Sequence, residues 1–385
     1  MKEIVLSVIC FALLNVSHSQ VHGDILGSDV AVNDKSVQDF YKWITKSEYA
    51  SYHENLLKEK EKHKWNDWIY YKIVEETANI HFPYKGDRFK TLFCWYILNR
   101  SELDVRLMYF NNTFLLFAFT EEQVSGISKF YKDKKKFVCI SSTELIGGRQ
   151  AFESKLVLND NNRSFQFAIN DEINLPIETV PFEQGFYDSL IHNEFIVLNI
   201  CVNEILIRML ETYPNIEFNK LFNTPLSPEA YNCLIPKFKE LLKDVDTVTM
   251  AKFIFHFVRD GFDYRDDRDQ TSWGREKWLT PEEALTITLT GMDCEDKSAL
   301  FYCLIKELLN IPIIVLNYPG NEHVNVGLSL DDHGEEGDFI FNGRTYLVCD
   351  PTNYPNLFGK DKKYEEWKYE IVIDYSPDEN RESRN

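Results

Sequence analysis

Positive charge is what this chain lacks most. Only 42 Lys and Arg stand against 61 Asp and Glu, leaving a formal net charge of −19 over 385 residues. So acidic a surface repels phosphate backbones and anionic headgroups, which speaks against nucleic-acid binding. Proline and glycine are also few, at 13 and 16, which argues against long flexible linkers. No Cys-x-x-Cys pair occurs, so a zinc ribbon or a thioredoxin-type site is not expected. Beyond the N-terminus, no apolar run approaches the ~18 residues of a membrane span, so no integral membrane span is expected. What is present is ordinary globular composition, 44% hydrophobic, 14% aromatic and 27% charged. The length suits about two domains.

The apolar run at residues 4–14 is too short to cross a bilayer, which takes about 20 residues. Ser17 and Ser19 supply small residues at the −3 and −1 positions before Gln20. Residues 1–19 therefore read as a signal peptide, and the protein is expected to be exported, periplasmic or extracellular. Eight cysteines are present, and removing the leader with Cys10 leaves seven. An odd number in an exported chain leaves at least one free thiol or an intermolecular bridge. Most lie in apolar runs such as Phe93-Cys94-Trp95 and are expected to be buried as small hydrophobes. Cys294 differs, because its neighbours are charged.

Two domains are expected, a mixed helix-and-strand domain over 20–185 and a second over 186–385, in an α+β chain. Phe40, Trp43 and Ile44, and then Trp65, Trp68, Ile69 and Ile73, recur at helical spacing. From about residue 88 to 169 the chain reads as short strands, at 105–110, 113–119, 137–140, 155–158 and 165–169. Asn111-Asn112 and Asp160-Asn161-Asn162 serve as turns. Residues 91–98 fit strand or helix equally. Residues 196–210 read as helix. Ser227-Pro228-Glu229 starts another, and Asp246 or Thr247 caps a third that ends at Gly261.

The chemistry gathers around Asp293-Cys294-Glu295-Asp296. Leu300, Leu304 and Leu308, with Phe301 and Ile305, are helical in spacing, so Cys294 falls at a helix N-terminus. Unpaired N–H groups and the positive dipole end there favour a thiolate and can hold an oxyanion. Asp293 is expected to cap this helix. Around His323 the period is two: Val324, Val326, Leu328 and Leu330 face a core. Asn325, Gly327 and Ser329 share the side of His323 and leave room for a cleft. Asp350 ends the next strand, at Asp350-Pro351-Thr352. An Asp there can accept from one imidazole nitrogen and turn the other towards a thiol.

These motifs resemble the transglutaminase-like superfamily, and more narrowly its exported bacterial members. The resemblance rests on Thr280-Pro281-Glu282-Glu283-Ala284-Leu285, on residues 291–300 around Cys294, on His323, and on Asp350-Pro351-Thr352. It covers residues 246–352. It implies a papain-like core, a Cys-bearing helix packed on an antiparallel sheet, and a triad in which Cys294 is nucleophile, His323 base and then acid, and Asp350 the group that orients His323. Two positions depart from the family pattern: Met292 where a second Gly is frequent, and Asn325 where an aromatic is frequent. They bear on substrate access and on the choice of acceptor. Tyr264, Gln270, Trp273 and Trp278 are candidate oxyanion or groove residues, since phenol, amide and indole all donate.

The expectation is a cysteine-dependent amide acyl-transfer enzyme, a peptidase or amidase acting on protein or peptide carboxamides. The alternatives are a catalytically silent domain that binds a peptide or cell-wall polymer, a glutamine-crosslinking transglutaminase, and a small-molecule acyltransferase. No cofactor or metal is expected. Some transglutaminases use calcium, but the acidic stretch at residues 331–338 lacks the alternating ligand spacing of an EF-hand and reads as a solvated loop.

Overall fold

The computed structural model describes residues 30–142, 151–158, 163–175, 179–267, 276–286, 291–330, 337–352, 357–359 and 367–377. The leader expected at residues 1–19, the turn expected at 160–162, Gln270, Trp273 and residues 331–336 lie outside the described residues. The chain falls into two compact units. The first comprises Met1–Ile169, Ile173–Glu178 and Arg208–Ile216; the second holds the remainder.

The first unit opens with helices Asp34–Ile44, Tyr52–Lys62, Asp67–His81 and Asp87–Arg100. Asn33 and Asn66 cap the first and third through their side-chain oxygens, which accept from Ser36 and Ile69 N–H. Residues 91–98 belong to the last of these helices. It is buried nearly all round, so its apolar residues show no periodicity to read. The hairpin of β1 (Val105–Phe110) and β2 (Thr113–Phe119) turns at Asn111 and Asn112, both at positive φ as a tight hairpin turn requires. β3 (Val124–Ser125), β4 (Lys129–Lys132), β5 (Lys135–Cys139) and β6 (Phe152–Glu153) follow. The sheet runs β4-β5-β2-β1-β6.

Residues 155–158 and 165–169, expected as strands, are not. Several of their backbone N–H groups are taken by side-chain carboxylates instead, while Phe165 N–H donates to the Phe119 carbonyl and Leu156 N–H to Ser154 Oγ. Asp34 accepts from Lys155, Asp67 from Gln166, and Glu122 from Phe167 and Ala168. A carboxylate acceptor satisfies the backbone as a ladder would, and no strand partner is needed.

The second unit begins with a long hairpin, β7 (Thr179–Asp188) and β8 (Glu194–Asn203). Residues 196–203, expected as helix, are strand, and only Glu204–Leu210 is helical. Ile196, Leu198, Ile200 and Val202 are buried in alternation with their neighbours, which is the period of a strand. The short β9 (Asn215–Ile216) returns to the first unit, where it pairs with β3. Helix Pro228–Leu241 lies on β8 and is tied to it by a Cys201–Cys233 disulfide. Ser227 caps it and Asp246 caps helix Thr247–Gly261.

The sheet that carries the site contains β10 (Ile313–Tyr318), β11 (His323–Leu328), β12 (Phe339–Phe341), β13 (Arg344–Asp350), β14 (Leu357–Phe358) and β15 (Glu370–Tyr375). All pairings are antiparallel, in the order β12-β13-β11-β10-β15, with β14 beside β13. Helix Cys294–Leu308 packs on β10 and β11. An apolar cluster of Ile314, Leu316, Tyr318, Tyr346 and Val348 gathers Trp367 and Ile371 around it. Antiparallel sheets packed with helices make the architecture α+β. Among the described residues no helix is long and apolar enough to cross a membrane.

Candidate active site

Cys294 is the first residue of its helix. The approach to it is tightly sewn. Met292 N–H donates to Asp263 C=O at 2.9 Å, and Arg265 N–H donates to Met292 C=O at 3.0 Å. Gly291 has φ of +87°, and a Cβ there would lie 2.6 Å from Arg265 Cβ. Only glycine meets both conditions. One turn into the helix, Lys297 Nζ donates to the Arg259 and Phe262 carbonyls at 2.9 and 2.6 Å. The Cys294 helix is thereby fastened to the end of helix Thr247–Gly261.

The sheet supplies the other two groups. β11 starts at His323 and β13 ends at Asp350, and the two strands are neighbours. His323 Nε2 lies 3.1 Å from Asp350 Oδ2. Asp350 Oδ1 accepts from Thr352 N–H at 3.0 Å, so the turn at Asp350-Pro351-Thr352 holds the carboxylate by its far oxygen. Nδ1 is therefore the nitrogen on the edge of the ring away from Asp350. Trp367 meets the imidazole nearly edge-on at 6.0 Å.

The helix brings the thiol to the same place. Cys294 Sγ lies 3.9 Å from the carbonyl of Glu322, the residue before His323. Ser298 Oγ donates at 3.1 Å to the carbonyl of Val324, the residue after it. These two contacts straddle His323. Cys294 is 5% exposed, and the side chains of His323 and Asp350 are 13% and 0% exposed. The Asp350 carboxylate is sealed, and the imidazole reaches solvent.

Three expectations are corrected. Asp293 occupies the N-cap position, but its carboxylate accepts no capping hydrogen bond. The Cys294 thiol is not shifted towards thiolate: burial pushes it up, and Glu295, whose Oε2 is 2.8 Å from Sγ, adds to the effect. A helix end contributes less than ~2 kcal/mol, whereas removing a charge from water costs several. Finally, the small residues of β11 open no cleft beside His323. A Cβ on Gly327 would meet Ile314 Cγ1 at 2.8 Å, and the strand is buried from Val324 onward.

The acidic surroundings are the feature that sequence reasoning missed. Asp267, Asp293, Glu295 and Asp296 are all buried. Burial raises the Asp267 carboxyl to about 6. Burial, with neighbouring carboxylates, also pushes Asp293, Glu295 and Asp296 upward. The run of acids was visible in the sequence, but it reads there as first-turn charge complementing the dipole. Asp267 joins only through the tertiary fold. Nearby, Lys277 and Glu283 form a buried ion pair at 3.1 Å.

Of the groove candidates, Tyr264 lies beside the site. It is half exposed and bridges to Met292, and burial followed by the proximity of Cys294 raises its phenol. Trp278 stacks on Phe218 at 4.1 Å, a packing role. Gln270 and Trp273 are outside the described residues. A cleft of about 520 Å³, lined among others by Tyr71, Glu75 and Lys90, belongs to the first unit and is lined by none of Cys294, His323 and Asp350. Among the described residues the remaining free cysteines, Cys94, Cys139, Cys303 and Cys349, are buried, as their apolar settings suggest.

Comparison with known protein families, with curated proteins and with solved structures finds no match in any of the three.

Proposed function

We propose that the second unit is a transglutaminase-like cysteine enzyme that cleaves or transfers amide acyl groups, with Cys294, His323 and Asp350 as its triad. The observation that carries this reading is the 3.1 Å contact between His323 Nε2 and Asp350 Oδ2 at the strand end where Cys294 Sγ meets the Glu322 carbonyl. His323 takes the thiol proton at Nδ1 and the sulfur attacks the carboxamide carbon. The same proton then passes to the leaving amine or ammonia as the thioester forms. Water resolves the thioester, giving up a proton to His323 and leaving a carboxylic acid and the restored thiol. The Cys294 N–H at the helix start and the Tyr264 phenol are suited to the oxyanion.

Hydrolysis of a protein or peptide carboxamide by an exported enzyme is the preferred form. A catalytically silent binding domain is the second reading, favoured by one observation: Glu295 Oε2 sits 2.8 Å from a thiol that is nearly buried. Labelling the intact protein with iodoacetamide at pH 7.5 separates them. An enzyme labels at Cys294 faster than a free thiol peptide, and His323→Ala removes the excess. Labelling no faster than the peptide overturns the triad and leaves the binding domain. Ammonia release from glutamine peptides, with and without an added amine, then distinguishes hydrolysis from transfer.

A further inference from the structure

Behind the first turn of the Cys294 helix, three buried carboxylates converge. Asp267, Asp293 and Asp296 each offer one oxygen, and these oxygens all lie within 4.8 Å of one another. Each residue is more than nine-tenths buried. Asp293 and Asp296 stand three residues apart at the start of the helix and so share a face. Asp267 reaches them from the chain that follows helix Thr247–Gly261.

Hydrogen bonds account for only part of the oxygens of Asp293 and Asp296. Asp296 Oδ1 accepts from Leu279 N–H at 2.9 Å, and Asp267 Oδ2 from Lys277 N–H at 2.5 Å. Asp293 Oδ1 and Asp296 Oδ2 are buried with no hydrogen-bond partner. Among the described residues, Lys277 Nζ is engaged with Glu283, and Lys297 Nζ with two backbone carbonyls. Buried polar atoms are almost always satisfied, so two orphaned oxygens on the carboxylates of one buried cluster ask for a ligand. Nitrogen and sulfur donors are absent from the set, which selects a hard ion. Calcium takes oxygens at about 2.3–2.6 Å, and ligands on opposite sides of it then stand roughly 4.6–5.2 Å apart, the scale of this cluster.

We propose that Asp267, Asp293 and Asp296 bind one divalent cation of the calcium class. A dication balances most of the charge of three carboxylates. Glu276, Asp293 and Glu295 form a second group of convergent carboxylates that shares Asp293 with the first, and Glu276, being exposed, gives the ion a route inwards. This inference does not depend on the activity of Cys294 and is tested by binding.

The full chain, stripped with EDTA, is titrated with calcium, magnesium and terbium by calorimetry and thermal unfolding. One equivalent of calcium is expected, with an unfolding midpoint that climbs with ion concentration. Asp293→Asn and Asp296→Asn are each expected to lose the ion and its stabilising effect. Both are expected to melt higher than EDTA-treated wild type, because each removes one of the crowded charges. Glu240→Gln, on an exposed helix face, is expected to bind as wild type does. Should the Asn variants not fold, terbium luminescence decides. It is expected to be sensitised by Trp278, next to the Leu279 N–H that holds Asp296, and to dim in Trp278→Leu while the binding heat persists. Absence of binding in wild type, binding unchanged in Asp296→Asn, or luminescence unchanged in Trp278→Leu overturns the site.

Discussion

Replacing Asp350 by Asn changes almost nothing in shape and reverses one hydrogen bond. In the wild type, Asp350 Oδ1 accepts from Thr352 N–H at 3.0 Å, and Oδ2 faces His323 Nε2 at 3.1 Å. An amide nitrogen cannot accept, so the Asn oxygen must stay with the Thr352 N–H. The Asn NH₂ group is then turned to His323, and Nε2 must become an acceptor. The imidazole proton moves to Nδ1, the nitrogen that the proposed mechanism needs empty to take the thiol proton. A positioned general base contributes typically 10²–10⁴-fold. Asp350→Asn is therefore expected to slow turnover and the iodoacetamide labelling of Cys294 by about that factor, or roughly 3–5 kcal/mol of barrier. The assay is the second-order labelling rate of Cys294 at one fixed pH, read by mass spectrometry. The buried Cys94, Cys139, Cys303 and Cys349 serve as internal controls. A variant that folds as wild type does and labels at the wild-type rate refutes the role of Asp350.

Three further outcomes follow from the fold. Burial raises Glu282 from 4.5 to about 7, despite its bonds to Ser227 N–H and Oγ. Its folded pKa exceeds its unfolded one, so stability is highest below about 4.5 and declines as pH rises to about 7. The decline amounts to about 3 kcal/mol, and denaturant titrations at pH 5 and 8 should show it shrinking by that much in Glu282→Gln. The Cys201–Cys233 bridge closes a loop of 32 residues, so reduction should lower stability by roughly 3–4 kcal/mol. Equal unfolding midpoints with and without dithiothreitol count against the bridge. Gly291→Ala combines a left-handed φ with a 2.6 Å approach to Arg265 and should cost about 2–4 kcal/mol. It should also slow Cys294 labelling, and a variant as stable as wild type contradicts the close approach.

Local chemistry was readable in the sequence. Asn111-Asn112 turns the β1–β2 hairpin because two residues at positive φ are needed and Asn tolerates that region. Ser227 and Asp246 cap their helices because the acceptor and the orphaned N–H groups are three residues apart. The starts of the Cys294 helix and of β11, and the end of β13, were equally local, so Cys294, His323 and Asp350 stand at the element ends that spacing indicated. The strands expected at 155–158 and 165–169 failed for a non-local reason. Asp34, Asp67 and Glu122 are distant in the chain, and no window around Phe167 reveals that a carboxylate awaits its N–H.

The charge state of the site was lost in the same way, and it follows from a competition of magnitudes. A helix N-terminus favours an anion by less than ~2 kcal/mol and acts within one turn, so it can be read from a short window. Desolvation is worth several kcal/mol per charge and depends on everything that covers the site. Here Glu295 is pressed against the sulfur and Asp293 adds to its effect. The larger effect wins and holds the thiol protonated. Labelling faster than a free thiol peptide therefore depends on the His323–Asp350 pair drawing off the proton, not on the helix end. Glu295→Gln separates the two effects, because it removes the acid nearest the sulfur and keeps the helix end. If the dipole then governs, Cys294 labels faster in this variant than in wild type at the same pH. If labelling is unchanged, burial alone sets the thiol and Glu295 is incidental.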